Sequence, residues 1–415
     1  MDIMKSLYGL LSEEHQIVIY VFLQNISENY LVLSYVPIFL LGLLLFEGIR
    51  RIKKTELVNN TIIIVISCMF IYFLDSRSFF VLLTLAILVF LGIKLRLNYR
   101  QHLLLVAAAI IISLIGVKIV LASFTNPIIL LGFSYYFFRL GSVIIENGRG
   151  NKEYSNVTAH RFFAYVFFFP IFLAGPVQRL HNFYPVNVAN SDTPKLYFFI
   201  IFLLLVKLSL IDILLYGSII LPTREFLLPE ISQLGFTSGF VLLLFHGSLS
   251  LLNGYIDLLI YTRLAITVGR LLGYHIMQDF NRPFLATNIA DYWRRWHISI
   301  TTWVRDYIYF PLMLKLKKPW LATYASMLTI GLWHTANLNW VFFALCHGTA
   351  LNFYTFLTKQ KVFKTLLLSR FGNIFLIITG WIVTIGFVSL VYNLVAFTDY
   401  SKSWEIIMSL NISRL

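Results

Sequence analysis

His334 stands where a solvated side chain is not expected. It ends the motif G-L-W-H at positions 331–334, between the apolar stretches 321–330 and 340–345. Ionisable residues at membrane depth are costly, and they indicate a functional site by default. An imidazole kept neutral by desolvation can remove a proton from a hydroxyl without a metal. Since no convincing nucleophile lies beside it in sequence, we expect an acceptor hydroxyl to attack an activated acyl group directly, with His334 as the general base.

A second unusual segment, 279–309, reads DFNRPFLATNIADYWRRWHISITTWVRDYIY. It is too charged to span a bilayer and too aromatic for a solvated loop. Pro283 breaks any helix at its start, and Thr287 or Asn288 can cap a new helix with an acidic residue in its first turn. The spacing predicts that Trp293, Trp296, His297 and Ile300 share one face of that helix. Anchoring at the membrane interface explains the tryptophans and arginines, but it does not explain His297.

The charged residues of this segment are candidates for substrate contacts. Arg294 and Arg295 project away from the aromatic face, where they can reach lipid headgroups or an anionic donor. Arg305 is a further candidate for binding such a donor. The other residues that we predict to bind substrate are Asn281, Asp291, Trp293, Trp296, Asp306 and Trp333. His347 also has apolar neighbours, and for this residue a structural role is the favoured interpretation.

The elements that position these residues are predicted to be membrane helices. Hydrophobic residues make up 59% of the 415-residue chain and charged residues only 13%, a composition unlike that of soluble domains. The runs long enough to matter are 30–46, 79–93, 103–121, 128–145, 196–221, 239–252, 321–333 continuing through 340–346, and 375–397. Shorter runs at 61–74 and 162–173 are spans or re-entrant segments. We expect one membrane domain over 1–415 with roughly ten or more embedded helices.

The net charge of +14 is explained by basic residues beside the spans. Such residues cluster at 50–54, 94–100 and 315–318, the pattern of short cytoplasmic loops. Nucleic acid is therefore not an expected partner. Cys68 and Cys346 lie in apolar runs and offer no disulfide or metal framework. The N-terminus lacks the features of a cleavable signal peptide, and 17–22 is interpreted as an interfacial or short first element.

The sequence resembles the membrane-bound O-acyltransferase (MBOAT) family. Segment 291–312, DYWRRWHISITTWVRDYIYFPL, is similar to the signature of a bacterial branch that comprises alginate O-acetyltransferase membrane subunits and teichoic acid D-alanyltransferases. The motif at 331–334 resembles the family's G-(L/F)-W-H, and 345–348 its L-x-H-G. Upstream, 169–179 resembles F-P-x₃-(A/S)-G-P, and 131–138 resembles L-G-I-S-x₃-F. The motifs run in family order from about 131 to 352.

The resemblance implies an all-α, polytopic fold in the cell membrane, a ring of helices around a central funnel. It assigns His334 to the catalytic histidine of the family and His297 to the second histidine. It also implies a donor entering from the cytoplasm and a hydroxyl acceptor outside, a cell-surface glycan or a teichoic acid. A cytoplasmic acyl carrier protein and an extracellular accessory protein are further partners that the family suggests, besides membrane lipid. No bound cofactor is expected beyond the thioester cosubstrate that the resemblance implies, acetyl-CoA or a phosphopantetheine carrier protein, and Arg294, Arg295 and Arg305 suit either donor.

Departures from the family pattern concern substrate identity. The family reads D-F-x-G-Y-(S/T)-D where this chain reads YIDLLIYTR at 255–263, so that Ile260 replaces a glycine and Arg263 an acid. Thr335 replaces the glycine that usually follows the catalytic histidine. We expect O-acetyl transfer to a polysaccharide, with D-alanyl transfer as the alternative. A proton-coupled transporter is a further alternative. It would need acidic relay residues within the spans, and these are sparse, with Asp212 and Asp257 as the main candidates.

Overall fold

The computed structural model describes residues 55–97, 100–101, 133–172, 175–187, 191–220, 223, 235–334 and 337–396. Fourteen α-helices account for most of these residues. They are α1 (Glu56–Leu74), α2 (Ser76–Lys94), α3 (Phe133–Gly148), α4 (Lys152–Ser155), α5 (Ala159–Phe167), α6 (Thr193–Val206), α7 (Phe236–Leu271), α8 (Ile289–Arg295), α9 (Ile298–Val304), α10 (Phe310–Leu316), α11 (Pro319–His334), α12 (Leu338–Leu357), α13 (Lys361–Leu368) and α14 (Arg370–Tyr392).

Shorter helical turns and two π-helical segments connect these helices. The 3₁₀ turns are Phe169–Ile171, Leu180–Asn182 and Pro283–Leu285, and the π-helical segments are Lys207–Ile220 and Arg305–Tyr309. The described residues form no named strand, only one isolated bridge between Pro185 and Tyr274. The all-α prediction is confirmed.

Among the described residues, four helices are long and apolar enough to cross a membrane: Glu56–Phe73 within α1, α7, α12 and α14. Three shorter helices are also apolar, at Ser78–Lys94, Ala159–Ile171 and Thr193–Leu204. Many apolar side chains of these helices are exposed, as expected when lipid is the solvent. Val383 on α14, for example, is 68% exposed. The chain is a multi-pass membrane protein. The spans predicted at 30–46 and 103–121, and the element at 17–22, lie outside the described residues.

The run predicted to continue from 321–333 through 340–346 consists of two antiparallel helices. α11 ends at His334, and Asn337 begins α12 by accepting a hydrogen bond from the Trp340 amide at 3.0 Å. The Tyr324 hydroxyl bonds to Thr349 at 2.9 Å, near the start of α11 and the end of α12. The expectation of one continuous run was wrong because a capped helix start was hidden between apolar stretches.

Two glycines of the sequence motifs let α11 and α12 approach closely. A Cβ at Gly331 would lie 2.5 Å from the Trp340 carbonyl oxygen, and one at Gly348 would lie 2.6 Å from the Tyr324 ring. Both distances are shorter than real Cβ contacts. The glycines of G-L-W-H and L-x-H-G are therefore packing residues that bring the two helices together beside His334.

The described residues belong to two compact units. Within the described ranges, one unit comprises residues from 201 to 260 and from 280 to 396, and the other comprises residues from 55 to 200 and from 261 to 279. The single-domain organisation stays a prediction.

In the second unit, buried polar groups surround Gln178 of an upstream motif. Arg139 is 1% exposed, and its guanidinium carbon lies 5.0 Å from the centre of the Tyr165 ring. The Tyr165 hydroxyl donates to the Gln178 carbonyl at 2.9 Å, and the Gln178 side chain accepts from the Met277 amide at 3.0 Å. Gln178 thus links Tyr165 to the backbone at Met277 in the interior of this unit.

In the first unit, buried hydrogen bonds hold α7 and α14 together. Asn393 bonds to His246 Nδ1 at 2.8 Å and donates to the Leu243 carbonyl at 3.0 Å. Trp381 of α14 donates to the Phe284 carbonyl at 2.7 Å. This second bond ties α14 to the turn that leads into α8, the helix that carries the predicted site residues.

Candidate active site

His334 is the last residue of α11, and its ring is held between two indoles. The ring stacks on Trp340 with centroids 4.1 Å apart and planes 10° apart, and it lies 4.4 Å from Trp333. The His334 side chain is exposed, so it can meet a substrate.

His297 lies on the other side of Trp333. Its ring centroid is 5.6 Å from Trp333, with the planes at 67°, and it stacks on Phe280 at 5.7 Å. The side chain is 3% exposed, and it is close enough to His334 for the two imidazoles to interact electrostatically. The structure therefore brings together the two histidines that lie 37 positions apart in sequence.

His297 does not continue the helix that the sequence pattern predicts. α8 ends at Arg295, where the Trp296 amide donates to the Tyr292 carbonyl, and α9 begins at Ile298. Between them His297 has φ +46° and ψ +53°, the left-handed region that residues other than glycine rarely adopt. The shared face of Trp293, Trp296, His297 and Ile300 was therefore a wrong prediction. A non-glycine residue held in this conformation is typical of functional sites.

Of the two caps that the sequence allows at the start of α8, Thr287 and Asn288, the structure has Asn288. Asn288 caps the helix, and its side-chain oxygen accepts from the Asp291 amide at 2.8 Å. Asp291 lies in the first turn, where a negative charge is favourable.

A charged cluster follows on the same helix. The Asp291 carboxylate accepts from Arg295 Nε at 2.8 Å and from Arg294 Nη2 at 3.3 Å. Arg295 also contacts Asn281, whose backbone both accepts from and donates to Arg295. The Arg294 side chain is 70% exposed, and it is available to an anionic group on a ligand.

Trp296 and Trp293 face different surroundings. Trp296 stacks on Tyr292 at 5.4 Å and lies 5.3 Å from Phe280, so it supports the ring on which His297 packs. Trp293 is buried, and its indole donates to His347 Nδ1 at 3.3 Å. This bond agrees with the structural role expected for His347.

Arg305 and Asp306 lie on the π-helical segment that follows α9. Arg305 Nε donates to Asp306 Oδ1 at 2.8 Å, and the Arg305 side chain is 54% exposed. Its guanidinium carbon is 5.9 Å from the centre of the Phe310 ring. Arg305 is therefore accessible.

Trp340 and Phe280, the rings that stack on the two histidines, are not predicted as site residues. In the sequence, Trp340 only begins an apolar run that indicates part of a span. Its one distinguishing feature is its place six residues after His334, just behind a capping asparagine. The aromatic richness of 279–309 was noted, but that composition does not indicate which ring faces which histidine.

The match to known proteins covers the whole described site. The model of the family described as MBOAT, membrane-bound O-acyltransferase, matches residues 66–392. A protein named probable alginate O-acetylase from Azotobacter vinelandii is 29% identical over 264 residues, 62% of this chain and 51% of the relative. The teichoic acid D-alanyltransferase of Bacillus subtilis is 28% identical over 286 residues, 63% of this chain and 68% of the relative.

A shorter match comes from a third kind of relative. The peptidoglycan O-acetyltransferase of Helicobacter pylori is 29% identical over 142 residues, which is 33% of this chain and 25% of the relative. The chain thus spans about half the length of the alginate relatives and a larger share of the D-alanyltransferase.

Proposed function

Because the chain belongs to the membrane-bound O-acyltransferase family, we propose that it transfers an acyl group, with acetyl preferred, from a cytoplasmic thioester to a hydroxyl of a cell-surface polysaccharide. The proposal rests chiefly on the accessible His334 ring, which stacks on Trp340 and lies beside Trp333. That placement holds the imidazole in a fixed orientation, as general-base catalysis requires.

In the proposed reaction, the neutral His334 ring removes the proton of an acceptor hydroxyl. The hydroxyl oxygen attacks the thioester carbonyl carbon, so a C–O bond forms and the C–S bond breaks. The imidazolium then returns its proton to the departing thiolate, and the products are an ester and a free thiol. The imidazole is regenerated, and no external oxidant or reductant is needed.

We assign His297 a positioning role. It is 3% exposed and packed between Phe280 and Trp333, so a substrate oxygen has less access to it than to His334. The His297 ring packs against Trp333, and Trp333 lies 4.4 Å from the His334 ring. His297 therefore helps to hold the Trp333 indole in place beside the base.

The two sides of the membrane suit the two substrates. α11 starts directly after the basic residues 315–318, which by the positive-inside rule face the cytoplasm. Its 16 residues rise about 24 Å, so His334 lies most of a ~30 Å hydrocarbon core away from that end. A flexible phosphopantetheine arm suits this distance. The exposed Arg294 and Arg305 are our candidates for holding its anionic part.

D-alanyl transfer to a teichoic acid is the second candidate. The observation in its favour is the extent of the match. The match covers 68% of the B. subtilis D-alanyltransferase but 51% of the A. vinelandii relative. In that case the donor is a carrier protein. The remaining expected partner, an extracellular accessory protein, belongs to the acetyl-transfer proposal.

Chemical analysis of surface polymers distinguishes the candidates. A deletion strain is compared with strains that carry wild-type protein or the His334→Ala variant, and mild alkali releases the esters. Loss of acetate in the deletion and His334→Ala strains supports the first proposal, and loss of D-alanine supports the second. Unchanged amounts of both esters in the deletion strain would refute both.

A further inference from the structure

A large apolar cavity opens between α12, α13 and α14, within the first unit. Its volume is about 960 Å³. Residues from all three helices line it, among them Ala350, Phe353, Leu367, Ile377, Val383 and Phe387. Thr287, Asn288 and Ile289 at the start of α8 also line it, whereas His297, Trp333 and His334 do not. The cavity is therefore distinct from the histidine pair.

The side chains around this cavity are unusually exposed for their type. Phe353 is 59% exposed, Leu367 47% and Val383 68%. α12 and α14 are both long and apolar enough to span the membrane, so a groove between them faces lipid tails. A water-filled groove lined in this way would be strongly unfavourable. Hydrocarbon chains are the occupant that the surroundings supply.

One end of the cavity is basic. α13 lies there and contributes Phe363 and Leu367 to the wall, while Lys361 and Lys364 on the same helix are exposed. Lys359 precedes α13 and Arg370 follows it, and both are exposed. Residues 307–398 contain no Asp or Glu. A short helix with apolar residues on one side and lysines on the other is typical of the membrane interface.

This basic end lies in the cytoplasmic leaflet. α12 runs back from the His334 side toward the end of α11 that follows the basic residues 315–318, as the Asn352 bond to the Trp320 carbonyl at 3.1 Å shows. The positive-inside rule places that side in the cytoplasm. Anionic lipids carry the negative surface potential of this leaflet, and they attract lysines close to the surface.

We propose that the cavity is a binding site for one anionic phospholipid of the cytoplasmic leaflet. An acyl chain lies along Val383, Ile377 and Phe353, and the phosphate lies against Lys359, Lys361, Lys364 and Arg370. The groove binds the acyl chain along its length, and the lysines select an anionic headgroup over a zwitterionic one. Neither part depends on the proposed acyl transfer.

Native mass spectrometry of the purified full-length protein tests this site. The protein in mild detergent receives equal amounts of phosphatidylglycerol and phosphatidylcholine with the same acyl chains, and the retained lipids are counted. We expect one phosphatidylglycerol to be retained preferentially. Replacing Lys359, Lys361 and Lys364 by Gln should weaken its retention by roughly fivefold for each lysine, about a hundredfold together. The matched control replaces Lys315, Lys317 and Lys318 by Gln, and it should retain the lipid like wild type.

A second pair of variants tests the hydrocarbon part. Val383→Trp fills the groove and should abolish retention, whereas Ile382→Trp should not, because Ile382 is similarly exposed at 56% but does not line the cavity. Ile377→Trp repeats the test at a second lining position, in case one variant fails to fold. Equal retention of the two lipids, or retention that both groove-filling variants leave unchanged, would overturn the proposal.

Discussion

Gly331→Ala should separate the effect of site geometry from the effect of overall stability. Gly331 lies one helical turn before His334 on α11, against the part of α12 that begins with Trp340. An added Cβ would lie 2.5 Å from the Trp340 carbonyl oxygen and 3.1 Å from the Ala344 Cβ. Ordinary contact begins at 3.4 Å, so the oxygen must retreat by about 0.9 Å. Since this oxygen is on the backbone, α12 itself must move.

The displacement affects activity more than stability. Overpacking of this kind costs roughly 1–3 kcal/mol, and replacing a helical glycine by alanine returns roughly 1 kcal/mol. The net loss of unfolding free energy is therefore small. The stack of His334 on Trp340, now 4.1 Å between centroids, shifts by nearly the whole displacement. A misplacement of about 1 Å in a catalytic group lowers the rate by roughly a hundredfold.

The assay compares Gly331→Ala with Gly386→Ala. Gly386 lies on α14, and a Cβ added there meets no atom within 4 Å. Thermal midpoints in detergent and the rate of ester formation per milligram of folded protein are measured for both variants. Gly386→Ala should match wild type. If Gly331→Ala also formed ester at the wild-type rate, the inference that the α11–α12 approach positions His334 would be refuted.

The other predictions concern α8. Asn288→Ala removes the acceptor of the Asp291 amide and should lower the free energy of unfolding by about 1 kcal/mol, measured as a lower thermal midpoint. Trp293→Phe leaves His347 Nδ1 buried without its 3.3 Å donor and should cost roughly 1–3 kcal/mol, whereas an unchanged midpoint would contradict a structural role for His347. Asp291→Asn releases two neighbouring arginines and should lower KM for the thioester donor severalfold at unchanged kcat, because partly exposed ion pairs contribute at most about 1 kcal/mol. A higher KM would contradict the proposal that these arginines bind the donor.

Local features of the site could be predicted from the sequence because they depend on neighbours along the chain. The cap at Asn288 and the helix break around Pro283 follow from side-chain chemistry within a few residues. Composition alone identified the membrane as the solvent. The apolar runs located most helices of the described part, because a span must be apolar along its whole length.

Features that depend on contacts between distant residues could not be predicted. Hydrophobic periodicity does not encode the positive φ of His297, so the sequence suggested a continuous helix where the chain turns. Likewise, the stack of Trp340 on His334 depends on how α11 packs against α12. Gly331 and Gly348 belong to sequence motifs, but a motif does not say why glycine is required. The distances to Trp340 and Tyr324 give the reason, which is the close approach of α11 and α12.

Ester formation by His334→Gln tests most directly whether His334 is the general base. Glutamine keeps much of the size and hydrogen-bonding capacity of the histidine, but it cannot take up a proton near neutral pH. Membranes with equal amounts of wild-type and variant protein are supplied with a labelled thioester donor and the surface polymer identified by ester analysis. If His334 is the base, the variant should stay in the membrane with a wild-type thermal midpoint and transfer no detectable label. Transfer at the wild-type rate would contradict the claim that His334 is the base.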